Sequence, residues 1–256
     1  MTSAARRLAE RFPNAATAAW VFFRLRRSAR EFSRAGRDPG QPEELVRAST
    51  DGRLLEPTAE LTDLRLDEAP VVASQQLDEL LPLLERVRAL QPRRVCEIGT
   101  SAAGTLYLLT RISAPDALIV SVDISIPLHT RGLRARLAGQ GQRLVSLEGD
   151  SHADETVSRL EGLLQGEPLD FLFIDGDHSY DGVRADFEHY GRLVRTGGLI
   201  ALHDVHEDFR TRHGVDSPSI SGEVPRFWQE LKQSYKTEEL IADPEQDGFG
   251  IGVVYV

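Results

Sequence analysis

A series of short apolar segments that alternate with helical segments constrains the fold of this chain more than any other feature. Five such segments follow one another along the sequence. They are Arg94–Ile98, Ala117–Ile124, Arg143–Leu147, Asp170–Ile174 and Gly198–His203. Short apolar strands that alternate with helices are typical of a parallel sheet covered by helices on both faces. The sequence therefore predicts an α/β fold.

The segments on either side of this region extend the prediction. Gln76–Leu90 carries leucines and a valine at helical spacing, which predicts an amphipathic helix before the first strand. Near the end of the chain, Lys236–Ala242 and Gly250–Val256 are joined by a polar turn with no helix between them. Two strands connected in this way must pair antiparallel. We therefore expect five parallel strands followed by an antiparallel hairpin.

The first part of the chain differs in charge from the rest. Residues 1–40 contain nine arginines against three acidic residues, a net charge of +6, so that the remaining 216 residues carry −16. A basic helix of this kind can lie on an anionic membrane, or it can dock on its own domain or on a second subunit. We favour docking, and interpret residues 1–72 as a helical N-terminal arm and connector that supports a homo-oligomer. Residues 73–256 then form the main domain.

Composition excludes several classes of protein. The net charge of −10 argues against nucleic-acid binding by the whole domain. A single cysteine, Cys96, excludes a disulfide framework and a cysteine-based zinc site, and it fits a reducing compartment. No apolar stretch reaches the ~20 residues of a membrane-spanning helix. Arginines directly follow the most apolar part of the arm, whereas in a signal peptide the basic residues precede the apolar run. We therefore expect a cytoplasmic protein without a transmembrane span.

Acidic residues follow the first three predicted strands. The first strand runs into EIGTSAAG at residues 97–104, where small residues let the backbone bend near a ligand before a helix begins. This stretch lacks the G-x-G-x-x-G pattern of dinucleotide-binding folds, and Glu97 suits an ammonium or hydroxyl group better than a pyrophosphate. Asp123 and Asp150 end the next two strands, so the three acids should converge on one crevice at the carboxyl edge of the sheet. Helix capping is the alternative role, particularly for Asp150 with Ser151.

The fourth and fifth strands end in clusters of polar residues. Asp175, Asp177 and His178 follow the fourth strand, and the fifth ends in His203 and Asp204. If the two strands are neighbours, their carboxylates come within reach of one another and suit a hard divalent ion such as Mg²⁺ or Mn²⁺. His178 would then serve as the general base for a substrate hydroxyl. The alternative is that Asp177 and Ser179 cap the next helix, with His178 as a solvated bystander.

From about residue 75 to its end, the chain resembles the class I S-adenosylmethionine-dependent methyltransferases. The segments that carry the resemblance are EIGTSAAG (97–104), SVDIS (121–125), EGDS (148–151), FIDGDHSYDGVRADFEHYGRLVRTGGLIALHDV (173–205) and GFGIGVVYV (248–256). The fourth-strand segment is specific: it resembles a bacterial subgroup related to the metal-dependent macrolide and sugar O-methyltransferases, and to a protein named for its association with cephalosporin hydroxylation. The resemblance implies a Rossmann-like sheet of seven strands with the last strand reversed.

The resemblance implies a role for each matching residue. The methionine portion of S-adenosylmethionine would lie against Glu97 and Gly99, the ribose against Asp123, and the adenine against Asp150 and Ser151. The cofactor-binding residues implied as a set are Glu97, Gly99, Thr100, Ser101, Gly104, Asp123, Asp150, Ser151 and Asp175.

The resemblance also implies a metal site and a base. The metal ligands would come from Asp175, His203 and Asp204. The sequence does not say whether His203 or Asp204 is the second ligand beside Asp175. His178 would be the base. The chain departs from the family at Ala103, where members often have glycine.

These observations together predict an Mg²⁺-dependent O-methyltransferase that acts on the hydroxyl of a small molecule, of sugar or macrolide type, in natural product biosynthesis. The loops that would shape the acceptor pocket carry no motif, so sugar, macrolide, phenol and peptide hydroxyls all fit. Two other interpretations stay open. One is an NAD(P)-dependent oxidoreductase, against which the missing glycine pattern and the terminal hairpin argue. The other is a cofactor-binding accessory subunit without catalysis.

Overall fold

The structure is a computed structural model, and it describes only part of the chain. The described residues are 65–66, 69–70, 73, 75–101, 103–126, 131, 134 and 137–256. The basic arm, residues 1–40, lies outside these residues, and so do the predictions about its packing and its role in an oligomer. In the part that the structure describes, no helix has both the length and the apolar character needed to span a membrane.

The main domain alternates strands and helices as predicted. The strands are β1 (Arg65–Leu66), β2 (Ala69–Pro70), β3 (Arg94–Ile98), β4 (Leu118–Asp123), β5 (Arg143–Glu148), β6 (Leu169–Ile174), β7 (Val194–His203), β8 (Lys236–Leu240) and β9 (Ile251–Tyr255). The helices with described bounds are α1 (Leu77–Leu90), α2 (Gly104–Ile112), α3 (Asp154–Leu164), α4 (Tyr180–Gly191), α5 (Phe209–His213) and α6 (Val224–Ser234).

Seven of the strands form one sheet in the order β5-β4-β3-β6-β7-β9-β8. The first five strands in this order are parallel, whereas β9 pairs antiparallel with both β7 and β8. The predicted α/β class, the neighbouring position of the fourth and fifth parallel strands, and the antiparallel C-terminal hairpin are all confirmed. The short strands β1 and β2 form a separate antiparallel pair.

The start of β7 is the largest difference between a predicted strand and the observed one. The strand begins at Val194, four residues before the predicted Gly198. Gly197 has a φ of +78°, and the pairing of β6 with β7 shifts its register between Leu169 and Phe171. Glycine inside a strand often marks a bulge, and here the strand continues through the irregularity.

Helices cover both faces of the sheet. Side chains of β6 alternate between the two sides: Phe171 and Phe173 belong to a core cluster with α1 and α2, whereas Leu172 and Ile174 belong to a second cluster with α3, α4 and α6. All four side chains are buried. This alternation explains why the strand is a continuous apolar run in the sequence.

The sheet order determines where a ligand can bind. From β3 the chain moves outward through β4 and β5, and it then returns to the other side of β3 for β6 and β7. In open α/β sheets, ligands bind at the carboxyl ends of the strands where the direction of winding changes. The candidate site therefore lies beyond the ends of β3 and β6.

Candidate functional site

The turn after β3 passes very close to the end of β6. Gly99 has a φ of +81°, and a Cβ atom at this position would lie 1.9 Å from the backbone oxygen of Asp175. A side chain at residue 99 would therefore collide with the backbone, so this position requires glycine. The next residues are held against β4, because the Ser101 amide donates to Asp123 Oδ2 at 2.8 Å.

The departure from the family at Ala103 falls on a strained backbone position. Ala103 has a φ of +66° immediately before α2, where it precedes Gly104, the first helical residue. Glycine adopts this conformation freely, whereas alanine pays about 1–2 kcal/mol. Its amide nevertheless donates to the Thr100 carbonyl at 2.8 Å, so the loop keeps a closed turn with alanine in place of glycine.

Glu97 is a fully buried acid at the centre of the crevice. It is 1% exposed, and its Oε2 atom has no hydrogen-bond partner among the described residues. Burial raises the pKa of Glu97 well above its usual range, and the nearby charge of Asp175 raises it further. The Thr100 hydroxyl is also buried without a partner in the described part of the chain. Buried polar atoms are nearly always bonded in proteins, so these two groups suit a polar ligand.

Arg134 is a buried residue of this site that the sequence analysis did not single out. Its side chain is almost completely buried, and Nη2 donates to the Ser101 carbonyl at 2.7 Å while Nη1 donates to Ser121 Oγ at 3.3 Å. Burial lowers the pKa of Arg134, and the charges of Asp123 and Glu97 counteract that effect. Arg134 thus holds the turn after β3 through the Ser101 carbonyl, and its positive charge opposes the negative charges of Asp123 and Glu97. It lies in a segment without a motif, so no sequence signal distinguished it from the other arginines.

Asp150 does not cap a helix. Its Oδ1 atom accepts a hydrogen bond from the His152 amide at 3.0 Å, and α3 begins only after Ala153. The Ser151 carbonyl accepts a hydrogen bond from the Tyr190 hydroxyl at 2.8 Å. The loop after β5 is therefore held in place by a local turn and by α4, which leaves the second carboxylate oxygen of Asp150 for other partners.

His152 links this loop to a buried acid. Its Nε2 atom lies 3.4 Å from Oδ1 of Asp186, and its Nδ1 atom lies 3.6 Å from Oδ1 of Asp150. Asp186 is completely buried, and neither of its carboxylate oxygens has a hydrogen-bond partner among the described residues. The contact with Asp186 raises the pKa of His152, and burial opposes this only in part.

The raised pKa of His152 predicts a pH-dependent stability. A histidine whose pKa is raised on folding contributes stability that is fully present below the unfolded-state pKa, about 6.5, and is lost as the pH rises through the folded-state value. The difference in unfolding free energy between the wild type and His152→Gln should therefore be largest below about pH 6.5 and should decrease at higher pH. Urea denaturation across this range measures it, with the exposed His213→Gln as the control. A difference that grows with pH would contradict the ion pair.

The ends of β6 and β7 bring Asp175, His203 and Asp204 together, as the sequence predicted for neighbouring strands. His203 Nδ1 lies 3.2 Å from Asp175 Oδ1 and 3.1 Å from Asp204 Oδ2. Asp204 has a φ of +60°, a left-handed conformation that is costly for a residue with a side chain. Strained backbone of this kind concentrates at functional sites.

His178 faces the same carboxylates from the loop after β6. Its Nε2 atom lies 3.7 Å from Asp175 Oδ1 and 3.5 Å from Asp204 Oδ2. Its Nδ1 atom lies 2.7 Å from the Ile220 carbonyl. A carbonyl can only accept a hydrogen bond, so Nδ1 carries the proton and Nε2 is the atom available to a ligand or a substrate.

The interpretation of residues 177–179 as a helix cap is half right. Ser179 caps α4, since its hydroxyl accepts a hydrogen bond from the Gly182 amide at 3.1 Å. His178, however, is not a solvated bystander, because its side chain is partly buried and contacts the Ile220 carbonyl through Nδ1. The Glu223 amide donates to its carbonyl at 2.7 Å, and Gly222 packs so closely that a Cβ atom there would lie 2.4 Å from the same oxygen.

The charged groups of this cluster shift one another's pKa values. Burial raises the pKa of Asp175, but His203 and His178 outweigh that effect and lower it to about 2. Burial lowers the pKa of His178, but Asp175 and Asp204 outweigh it and raise the value to about 9. Burial lowers the pKa of His203 as well, but Asp204 and Asp175 outweigh it and raise the pKa well above its usual range. Two carboxylates in close contact thus attract positive charge, either as protons on the histidines or as a cation.

One group of side chains in the described residues has the spacing to hold a metal ion. It consists of Asp175, His178 and Asp204, whose ligand atoms all lie within 4.8 Å of one another. His203, the other predicted ligand, contacts Asp175 Oδ1 and Asp204 Oδ2 through its Nδ1 atom. The donor set of two carboxylates and an imidazole fits a hard divalent cation. The roles of the individual residues stay predictions.

A family profile and a curated relative both match this chain. Residues 96–205 match the profile of a family described as a methyltransferase domain. The catechol O-methyltransferase of Mycobacterium tuberculosis (strain ATCC 25618 / H37Rv) is 33% identical over 141 residues, which cover 54% of this chain and 59% of that protein. The chain therefore spans less than two thirds of the length of this relative.

Two solved structures are similar to this one over most of their length. The O-methyltransferase from Bacillus cereus, solved with SAH, has 19% sequence identity and a TM-score of 0.54, and the match covers 86% of this chain and 92% of that one. The cofactor-bound protein Rv0187 from MTB has 23% identity and a TM-score of 0.55, with coverage of 85% and 99%. At these identities the likeness shows a shared fold.

Proposed function

We propose that this chain, which matches the profile of a methyltransferase domain over residues 96–205, is a class I S-adenosylmethionine-dependent methyltransferase that methylates a hydroxyl oxygen of a small molecule at a site that holds Mg²⁺ or Mn²⁺. The observation that carries the proposal is the convergence of Asp175, Asp204 and His178 Nε2 beside the crevice that contains Glu97. The methyltransferase family match also favours methyl transfer over the hydride transfer of an oxidoreductase. The names of the relatives, O-methyltransferases, support oxygen as the acceptor atom.

S-Adenosylmethionine supplies, when bound, a methyl group on a positively charged sulfur atom. The residues of the crevice fit its other groups. Glu97 Oε2 is buried without a partner and would accept a hydrogen bond from the ammonium group of the methionine portion. Asp123 already accepts bonds from the Ser101 and Ser125 amides, but each carboxylate oxygen retains a lone pair for a ribose hydroxyl. Asp150 would face the adenine.

A divalent cation supplies, when bound, a Lewis acid that lowers the pKa of an acceptor hydroxyl and orients it. Asp175 and Asp204 would hold it through oxygen atoms, which is the ligand type that Mg²⁺ prefers. The cation would also compete with the protons of the histidines, because both neutralise the same two carboxylates. His178 would then accept the proton of the acceptor hydroxyl at Nε2, since its Nδ1 proton is held by the Ile220 carbonyl.

The proposal is tested by methyl transfer to defined acceptors. S-Adenosylmethionine labelled at the methyl carbon should transfer its label to the oxygen of a sugar, macrolide or phenol hydroxyl, with formation of SAH. The acceptor class follows the resemblance to sugar and macrolide enzymes, so these compounds come first in the panel. Label found on nitrogen or carbon of the acceptor would contradict hydroxyl methylation while leaving the enzyme class in place.

Replacement of Asp123 should weaken binding of the cofactor product. Asp123→Ala removes the proposed hydrogen bonds to the ribose, and hydrogen bonds to a charged group contribute about 1.5–3 kcal/mol. Isothermal titration calorimetry with SAH should therefore show a Kd about 10–100-fold higher than that of the wild type. Asp116→Ala, which changes an exposed aspartate paired with Arg93 at 3.2 Å, is the matched control. Equal affinity of Asp123→Ala and the wild type would contradict the ribose assignment.

A further inference from the structure

The two carboxylate oxygens of Asp175 have different partners. Oδ1 faces the histidines, with His203 Nδ1 at 3.2 Å and His178 Nε2 at 3.7 Å. Oδ2 points the other way and accepts a hydrogen bond from Gln75 Nε2 at 2.8 Å. Gln75 is 2% exposed and lies 100 residues before Asp175 in the sequence, outside residues 96–205 that match the methyltransferase domain.

The orientation of the Gln75 amide is fixed at both ends. A carboxylate has no proton to donate, so the NH₂ group must face Asp175. The amide oxygen then faces α2, where it accepts a hydrogen bond from the Thr105 hydroxyl at 2.7 Å. Thr105 is buried in the first turn of α2, the helix that follows the turn after β3. The chain Thr105–Gln75–Asp175 therefore connects that helix to the carboxylate cluster.

The segment that carries Gln75 is anchored one helical turn later. Glu79 is completely buried, and its Oε1 and Oε2 atoms accept hydrogen bonds from Gln246 Nε2 at 2.6 Å and from the Gly250 amide at 3.0 Å. These bonds attach the start of α1 to the loop between β8 and β9. Gln75 thus lies four residues before a buried, hydrogen-bonded anchor, which suits a group that orients a functional side chain.

We infer that Gln75 is a positioning residue for Asp175: by binding Oδ2 it leaves Oδ1 as the oxygen that faces Asp204 and His178. The inference rests on the proposed function, in which Asp175 holds a divalent cation. Partners that hold a metal ligand from behind typically change metal affinity or activity by 10–100-fold when they are removed. The residues before the family domain therefore complete its metal site.

Binding of Mn²⁺ to the full-length protein tests this inference without any assay of activity. Electron paramagnetic resonance measures free Mn²⁺, and Gln75→Ala should raise the Kd for Mn²⁺ by about 10–100-fold. The affinity for SAH, measured by calorimetry, should stay near the wild-type value, because Gln75 orients the carboxylate and not the cofactor. Gln76→Ala is the matched control: it removes the adjacent glutamine of the same segment and should leave both affinities unchanged.

A second variant keeps the test decisive if Gln75→Ala does not fold. Thr105→Val preserves the shape of the buried side chain and removes the hydroxyl that orients the amide, so it should raise the Kd for Mn²⁺ by a smaller factor than Gln75→Ala. Wild-type affinity in Thr105→Val, and in Gln75→Ala if that variant folds, would overturn the positioning role and leave the metal proposal standing. Absence of Mn²⁺ binding by the wild type would instead overturn the metal part of the proposed function and this inference with it.

Discussion

Removal of divalent cations should reduce methyl transfer by this protein to background, and Mg²⁺ or Mn²⁺ should restore it. The expectation rests on Asp175 and Asp204, which the pairing of β6 with β7 places at adjacent strand ends. Two carboxylates forced close together repel each other unless a proton or a cation lies near them. A Lewis acid is worth several kcal/mol in such reactions, so the loss should be about 10³-fold or more.

Substitutions at the same two positions separate the metal from the cofactor. Asp175→Asn and Asp204→Asn each keep the size of the side chain and remove its charge, so each should abolish rescue by added Mg²⁺. The affinity of Asp204→Asn for SAH should change little, because the proposed ribose and adenine contacts lie at the ends of β4 and β5, whereas Asp175 is also among the cofactor-binding residues that the resemblance implies. Asp181→Asn, which removes an exposed charge in the first turn of α4, is the control for a general effect of charge.

The contrary result is equally clear. Full activity in an excess of chelator would remove the cation from the mechanism. His203, whose Nδ1 atom lies 3.2 and 3.1 Å from oxygens of Asp175 and Asp204, would then be the group that neutralises both carboxylates as an imidazolium. The pocket would still bind the cofactor, and the acceptor would have to be activated by side chains alone.

The sequence predicts the sheet well because each parallel strand is a separate apolar run in the sequence. The strand β3 was predicted with its observed bounds, and the acids at strand ends follow directly from where the apolar runs stop. The position of Asp175 beside Asp204 required one further assumption, that β6 and β7 are neighbours. The parallel pairing of Ile174 with Leu202 satisfies it.

The contacts made by loops and by the start of α1 could not be predicted in the same way. Gln75 reaches Asp175 across 100 residues, and Ile220 reaches His178 across 42, without any motif at either end. Arg134 is one of many arginines, and its burial depends on how the chain between β4 and β5 packs. Such contacts depend on tertiary packing, which hydrophobic periodicity in one sequence does not encode.

Replacement of His178 should reduce turnover strongly while leaving the metal in place. If Nε2 accepts the proton of the acceptor hydroxyl, His178→Ala should lose about 10²–10⁴-fold in kcat, the usual contribution of a general base. Tyr180, the first residue of α4, is poorly suited to take over, because its hydroxyl already donates to the Glu230 carboxylate at 2.9 Å. Added imidazole should restore part of the activity, since it supplies the missing base.

The same variant decides whether His178 is a base or a metal ligand, because its Nε2 atom belongs to the group that can hold a cation. A base can be removed without loss of metal, so the Kd of His178→Ala for Mn²⁺ should stay near the wild-type value, whereas that of Asp204→Asn should rise sharply. Equal loss of Mn²⁺ affinity in both variants would make His178 a ligand. Turnover unchanged from the wild type would exclude both roles and leave the Ile220 contact of His178 as a structural bond between the loop and the sheet.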